Sequence, residues 1–412
     1  MKIGVVGGGA SGIMAAITAA DYGAEVTILE KNERIGKKIL ATGNGKCNFT
    51  NKSLKNTDYN SQAANIYDDY ISQYDQERVL SFFADKGMLA KERNGYYYPR
   101  SEQASTILDI LRKKLQESGV KILTTACPRA IISKVPGFSV CLNEQELYFD
   151  RLILACGSFA GERKQNEFSG YHYAKKLGHT LIPVVPALVQ LRAKEKEFRS
   201  ISGVRCEAEV ALYIDGKSVS TECGELQLTD YGISGIPVFQ LSRFAAYGFY
   251  EKRLVTAIID FLPEYDRKCW RAVVEQKWNA CPKSATVEEF FLGFLHKKLN
   301  GMFIRLENLK PGMPLKACSF EQIWRACMRM KGWEVHIEST NPFEYAQVCA
   351  GGVSMEEVSL KLESLKHRGL FFAGEMLDVD GRCGGYNLQW AWTSGYLAGK
   401  YAAEKVSNTC DS

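Results

Sequence analysis

The chain has 13 cysteines but no Cys-x-x-Cys pair anywhere. Zinc and cluster-type iron–sulfur sites draw on such paired thiolates, so no metal site is expected. The cysteines are odd in number and widely scattered. That gives no disulfide framework and points to a reducing, cytoplasmic compartment. A strong charge bias is also lacking: 52 Lys and Arg stand against 47 Asp and Glu, a net charge of +5. A clustered basic surface would mark a nucleic-acid or membrane partner, and neither is expected here. The slight positive bias suits a cofactor that carries a pyrophosphate. No run of about 18 uninterrupted apolar residues exists, so no transmembrane helix is expected. Ile3 to Ala20 is apolar, yet Gly4, Gly7, Gly8 and Gly9 crowd its first half and Lys2 is its only flanking charge. A strand, a glycine-rich turn and a helix account for it better than a signal peptide. Internal repeats and low-complexity linkers are missing too, so the middle of the chain reads as an insertion into an α/β domain.

What is present is an ordinary globular composition, 46% apolar and 24% charged over 412 residues. That length predicts two or three folding units. Lys2 to Val6, Ser11 to Tyr22 and Glu25 to Leu29 read as a βαβ unit. Residues 50 to 95 look mixed and helical, with an amphipathic run near Glu77 to Lys86. Glu102 to Ser118 has helical spacing, and Val120 to Thr124 reads as a strand. Gly137 to Leu142 and Glu146 to Phe149 read as a hairpin, followed by a buried strand at Arg151 to Ala155. Beyond about residue 185 the pattern alternates, at Ala187 to Leu191, Glu207 to Ile214, Glu225 to Thr229 and Arg253 to Phe261. This predicts an antiparallel sheet or small barrel. Asp266 to Lys331 turns helical, Trp333 to Ile337 returns to strand, and Gly369 to Ala373 and Leu388 to Ala403 read as a strand and a helix. A short helix at Tyr173 to Leu177 is flanked by His172 and His179.

The most chemical motif is Gly7-Gly8-Gly9-Ala10-Ser11-Gly12, between a strand and a helix. In such a fingerprint Gly7 permits the tight turn, Gly9 lets backbone approach a pyrophosphate, and Gly12 allows close helix–sheet packing. Glu30, after the next strand, can accept hydrogen bonds from an adenosine ribose. NAD and FAD both use this pattern, and two further features favour FAD. Gly369 to Glu375 is a strand ending in an acid, followed by Gly384-Gly385-Tyr386-Asn387-Leu388 and a helix. There Glu375 suits a ribityl chain and the helix N-terminus suits negative charge on a flavin. Leu154-Ala155-Cys156-Gly157 runs a strand into a Cys-Gly turn. The loop from Gly36 to Asn48, with Lys37, Lys38, Gly43, Gly45 and Lys46, reads equally as an anion cradle or a solvated basic loop.

These stretches together resemble a known family. The chain is similar to the single-FAD flavoproteins of the NAD(P)/FAD-dependent oxidoreductase type, which include aminoacetone-oxidase-like proteins and bile-acid-pathway reductases. Four signatures carry the resemblance: the N-terminal GGGASG, Lys37 to Asn51, Gly224 to Val238, and Phe371 to Gly395. It implies a discontinuous Rossmann-like FAD-binding domain with an inserted antiparallel β-barrel domain and a helical subdomain within that. The expected segments are 1–188 and 346–412 for FAD binding, 189–265 and 332–345 for the barrel, and 266–331 for the helices. The resemblance further implies FAD contacts at Gly9, Ser11, Gly12, Glu30, Lys31, Thr42, Gly43, Cys47, Asn48, Gly374, Glu375, Gly385, Asn387 and Leu388. Two positions depart from the family pattern: Cys349 stands where Thr is common, and Asp230 where His is frequent.

A flavin transfers hydride through its own N5, so the protein supplies position, electrostatics and sometimes a proton. His336, Tyr386, Asp230 and Cys349 are the residues considered for the proton role, though each type serves more often in packing or at the surface. Cys47 and Cys383 both fall in loops assigned to FAD, where small cysteines also pack as inert groups. No second Gly-x-Gly-x-x-Gly is found, so no dedicated nicotinamide domain is expected. NAD(P)H would visit the substrate face transiently, in a ping-pong cycle. The expectation is therefore an FAD-dependent oxidoreductase reducing an unsaturated or carbonyl-conjugated small molecule with NAD(P)H. The alternatives are an FAD oxidase of a small amine using oxygen, and a flavin-loaded RNA-associated or scaffold protein. The oligomeric state is left open.

Overall fold

The computed structural model describes residues 1–63, 65–162 and 169–404; the last residues of the expected second FAD-binding segment lie outside these. The chain forms two compact units, Met1–Val184 with Val348–Ser412, and Val185–Gln347. The breaks fall after residues 184 and 347, a few residues from the expected 188 and 345. The helices of 266–331 belong to the same unit as the barrel strands.

The first unit is built on a five-stranded parallel sheet. Its order is Leu370–Phe372, Arg151–Leu154, β1 (Lys2–Val6), β2 (Glu25–Leu29) and Lys121–Leu123. Val5 pairs with Ile28 on one side and Ile153 on the other, and Ile153 pairs in turn with Phe371. These four side chains are almost completely buried. Sheets covered on both faces by helices read as continuous apolar runs, which is why VV, TIL, LIL and LFF form strands here. Both ends of the chain thus enter one sheet. Helix α1 (Ala10–Asp21) crosses between β1 and β2, and the C-terminal helix Tyr386–Ala403 packs directly on it.

A second, three-stranded sheet pairs Thr50–Asn51, Tyr96–Pro99 and Ala90–Arg93. The sequence suggested mixed and helical structure here, and Gln76–Ala84 is indeed helical. The Tyr96-Tyr97-Tyr98 strand has no sequence signal, because three consecutive tyrosines show no alternation of polarity. A strand at Ala130–Ser133 also extends the expected hairpin to three strands.

The second unit contains a closed six-stranded antiparallel barrel: Leu191–Ala193, Gly232–Gly235, Lys217–Leu228, Arg205–Ile214, Val255–Asp260 and Trp333–Thr340. Val210, Leu212, Leu226, Ala257, Ile259, Val335 and Ile337 point inward, at the period of two that a half-buried strand requires. The helices Arg267–Ala280, Val287–Phe291, Lys297–Leu306 and Phe320–Met330 share its core through Trp270, Phe290, Phe303 and Trp324. Asp266, Thr286 and Ser319 cap three of them.

Three local expectations are corrected. Ala187 to Leu191 is not one strand: the chain is extended over Leu181–Ala187, Leu188 turns it with φ +50°, and a new strand starts at Leu191. Left-handed backbone cannot continue a strand. His172 lies inside the helix Gly170–Lys176, because Ser169 caps its first turn by accepting from the His172 N–H at 3.3 Å. A 15-residue helix, Ile236–Tyr250, follows Gly235 where the sequence pattern predicts no element. Its nearly continuous apolar residues hide the helical period.

Candidate functional site

At the end of β1 three glycines have three different surroundings. A Cβ on Gly7, whose φ is +109°, would lie 2.3 Å from the Ala155 carbonyl oxygen. One on Gly12 would lie 1.9 Å from the Gly7 carbonyl oxygen. Both positions are closed to any side chain. A Cβ on Gly9 would meet nothing within 4 Å. Gly9 is the N-cap of α1, and no side chain caps that helix. The turn therefore presents open space in front of a helix N-terminus, whose unpaired N–H groups and dipole attract an anion.

Glu30 closes the back of this turn. It is buried, and its carboxylate accepts from the Gly8 N–H at 2.7 Å and the Asn32 N–H at 2.8 Å. Lys31 beside it pairs with Glu162 at 2.5 Å.

The C-terminal segment is fastened to the same turn. Gly374, with φ +77°, has no room for a Cβ, which would sit 2.3 Å from Ser11 Oγ. Its N–H donates to Ser394 Oγ at 2.9 Å, and its carbonyl accepts from the Trp390 indole at 3.1 Å. The next residue, Glu375, holds Lys38 Nζ and Ser158 Oγ on one carboxylate oxygen, each at 2.8 Å. Lys38, although half-exposed, is therefore tied to this acid across the chain. Desolvation lowers its pKa, but the Glu375 carboxylate more than offsets this and holds the ammonium above its usual range.

The loop around Thr42 turns tightly, with Thr42 Oγ1 donating to the Ile39 carbonyl and the Cys47 N–H to the Thr42 carbonyl. Gly43 faces Asn48 and Tyr98. Gly45 and, across the site, Gly157 both have positive φ and open space where a Cβ would stand. Asn48 ties this loop to the far end of the chain: its amide donates to the Thr50 and Tyr97 carbonyls at 3.0 and 3.3 Å, and its oxygen accepts from the Gly385 N–H at 3.3 Å. Gly385 must be glycine, because a Cβ would come 2.7 Å from the Thr50 carbonyl oxygen. Asn387 clasps the preceding turn, with its oxygen accepting from the Gly381 N–H and its amide donating to the Gly381 carbonyl, both at 2.8 Å. Leu388 is half-buried against the core of the unit.

The thiols in this region are held protonated. Burial pushes Cys47 up to about 11 and Cys156 and Cys349 up to about 12. The Cys156 thiol donates to the Val6 carbonyl at 3.4 Å. Ser158 draws the Cys349 thiol the other way without overcoming burial. None of the three is a thiolate nucleophile at neutral pH.

A group of tyrosines borders Gly384. A Cβ there would lie 2.7 Å from the Tyr96 ring and 3.2 Å from the Tyr386 ring. Tyr386 meets Tyr59 edge to face at 6.0 Å. Burial raises Tyr386 to about 12. Of the remaining proton candidates, Cys349 joins Ser158 and Glu375, whereas His336 and Asp230 belong to the second unit. His336 lies on the outer face of the barrel, bound to Glu195 at 3.0 Å. Asp230 is exposed in the turn before Gly232–Gly235.

The chain is similar to known proteins. A family model described as "HI0933-like protein Rossmann domain" matches residues 1–401. A 3-dehydro-bile acid Δ(4,6)-reductase of Clostridium scindens is 45% identical over 410 residues, covering 98% of this chain and 99% of that one. A ribosomal RNA dihydrouridine synthase of Haemophilus influenzae is 29% identical over 406 residues, covering 95% and 96%. Among solved structures, a 3-ketosteroid-Δ4-(5α)-dehydrogenase of Rhodococcus jostii RHA1 matches 98% of this chain and 96% of its own with a TM-score of 0.50 and 16% identity, a likeness of fold.

Proposed function

The chain belongs to the HI0933-like family of Rossmann-fold, FAD-binding oxidoreductases, and from that premise we propose that it is a reductase adding hydrogen across a carbon–carbon double bond conjugated with a carbonyl. One observation carries the reading: 45% identity over nearly the full length to a relative whose name specifies Δ(4,6)-reduction of a 3-dehydro-bile acid. A rigid, largely apolar small molecule of the steroid kind is the substrate class that follows.

The residues present fit FAD. Gly9 offers the cradle, since its missing Cβ leaves open space before the α1 N-terminus. There the pyrophosphate would be held by backbone N–H groups, with Ser11 and Gly12 in the first turn. Glu30 has acceptor capacity beyond its two backbone bonds and would take the adenosine ribose. Glu375, Lys38 and the Gly384–Leu388 helix start would hold the flavin half. Bound there, FAD supplies the hydride chemistry. The protein's own contribution is to orient both reactants and exclude water. It also keeps its thiols protonated and so out of the redox step.

In this reading the electron source is NAD(P)H, which, with a single Gly-x-Gly-x-x-Gly in the chain, would visit the substrate face. Every described cysteine is a free thiol, which suits a reducing, cytoplasmic setting. No helix among the described residues is long and apolar enough to cross a membrane.

The test is an anaerobic absorbance titration of the holoprotein with NADPH and NADH, followed by conjugated steroid enones. Bleaching of the oxidised flavin by nucleotide and its return on adding enone is the expected result. A flavin untouched by either nucleotide would overturn the nicotinamide link, and a reduced flavin that no enone reoxidises would overturn the substrate class.

A second reading transfers the same chemistry to uridine in RNA, favoured by the 29% identity to the dihydrouridine synthase. Against it, the basic residues of the helix Phe320–Met330 and of its C-cap are already engaged: Arg325 and Arg329 both pair with Glu307, and Lys331 with Asp260 at 2.6 Å. They form no free stripe for phosphates.

A further inference from the structure

Among the described residues, the hydroxyls of Tyr96, Tyr98 and Tyr386 donate to nothing in the protein, although all three side chains are half-buried. Their oxygens still reach solvent, which leaves them open to a bound molecule. By contrast, the hydroxyls of Tyr59 and Tyr173 are committed to the protein: Tyr59 donates to the Tyr386 carbonyl at 3.3 Å, and Tyr173 bonds the Pro128 carbonyl. The unpartnered three converge. Tyr96 and Tyr386 flank Gly384, and Tyr98 faces Gly43. The strand that carries Tyr96 and Tyr98 presents them on one face, since alternate residues of a strand point the same way.

Glycine at 384 is what lets the two rings close in, since any side chain would fill the space between them. Tyr386 is the best fixed of the three. It is the first residue of the C-terminal helix, its ring is braced by Tyr59, and its backbone is held through Gly385 and Asn48. Asp58, Tyr96 and Arg382 are the titratable groups facing it. Burial, aided by Asp58 and Tyr96 and opposed by Arg382, keeps its phenol protonated at neutral pH.

Resting on the enone-reductase reading, we propose that Tyr386 is the proton donor that completes the reduction. In the step, hydride from the reduced flavin forms a C–H bond at the β carbon of the enone as the carbon–carbon π bond breaks. The O–H bond of Tyr386 breaks and its proton forms the second C–H bond at the α carbon. The substrate gains two electrons, the flavin gives up two and is recharged by a reduced nicotinamide, and the Tyr386 phenolate regains its proton from water. The α1 and C-terminal segments hold the cofactor, so the proton is the one component that the chain must supply from a side chain.

The test compares Tyr386→Phe and Tyr96→Phe with the wild-type holoprotein in three assays. The first is flavin content and bleaching by NAD(P)H. The second is the rate of enone reduction. The third is exchange of α-hydrogens of the saturated ketone with deuterated water, with the flavin oxidised and no nucleotide present, so that no net reduction takes place. Tyr386→Phe is expected to keep its flavin and its bleaching, to lose reduction by about 100-fold or more, and to lose the exchange. Tyr96→Phe is expected to raise KM with exchange retained. Wild-type reduction and exchange that survive in Tyr386→Phe would overturn the assignment, as would loss of exchange in Tyr96→Phe alone. A wild-type protein that reduces no enone would instead overturn the substrate reading and the assignment with it.

Discussion

A Cβ on Gly395 would stand 2.4 Å from the carbonyl oxygen of Ser11. One turn on, a Cβ on Gly399 would stand 2.3 Å from the carbonyl oxygen of Ala15. The C-terminal helix therefore lies on α1 backbone to backbone, and this contact brings Gly374 and Glu375 up to the fingerprint turn.

Gly395→Leu is expected to force the two helices apart and lower stability by about 1–3 kcal/mol or more, as overpacking does. Thermal unfolding of the apoprotein reads the loss, and flavin content should fall with it, because the same contact positions both halves of the site. A variant that matched the wild type in both would refute the close packing.

Gly9→Val and Gly12→Val should separate binding from folding. The Gly9 position has room for a side chain, so the apoprotein should fold with normal circular dichroism and melting but purify colourless. At Gly12 the Cβ meets backbone at 1.9 Å, so that variant should be unstable outright. A yellow Gly9→Val protein with full flavin content would disprove the cofactor pose.

Glu357 gives a pH-dependent prediction. It accepts from the Thr180 N–H at 2.9 Å, Thr180 Oγ1 at 2.7 Å and Lys366 Nζ at 2.7 Å. Desolvation opposes its ionisation, but the bonds from Lys366 and Thr180 outweigh that and bring its pKa down to about 2. A carboxyl with a depressed pKa adds stability above its unfolded value, near 4.3, that is lost as pH falls through the folded value. Glu357→Gln should therefore cost on the order of 2–3 kcal/mol at pH 7. The gap to wild type should narrow between about pH 4 and pH 2. Urea unfolding across that range is the measurement, and a gap independent of pH would contradict the charge argument.

Lys38→Met should change stability little, by less than about 1 kcal/mol, because the lysine side chain is half-exposed in its pair with Glu375. Its raised pKa means that what the pair adds is fully present at neutral pH and lost only in alkali, above the ordinary lysine value near 10.4. The larger effect is expected on flavin affinity, measured by equilibrium dialysis, since Glu375 would then face the site without its cation. Unchanged affinity would remove Lys38 from the cofactor site.

Salt dependence separates the two substrate readings. With Arg325 and Arg329 held by Glu307, binding of ribosomal RNA fragments at physiological ionic strength is expected to be undetectable by filter retention. Tight, salt-sensitive binding would favour the RNA reading.

How much was legible in the sequence depended on how local each signal is. The βαβ start was readable because Lys2–Val6 and Glu25–Leu29 are short apolar runs around a glycine turn, and every residue of that signal lies within 30 positions. The barrel strands were readable in part, because Arg205–Ile214 and Val255–Asp260 alternate in burial. The Ile236–Tyr250 helix and the Tyr96–Pro99 strand were not, because their composition lacks a clear period.

By itself, then, the sequence determined the glycine fingerprint, the acid after β2 and the C-terminal glycine-rich helix start, because backbone conformation and helix polarity are properties of a few neighbouring residues. Only the tertiary structure decided that Lys38 answers Glu375, that Asn48 binds the Gly385 N–H, and that Tyr96 and Tyr386 close on Gly384. Each of these meetings joins the first hundred residues of the chain to its last forty. Their meeting depends on the parallel sheet that gathers both chain ends and on glycines that let backbone pack against backbone, neither of which is written into any single segment.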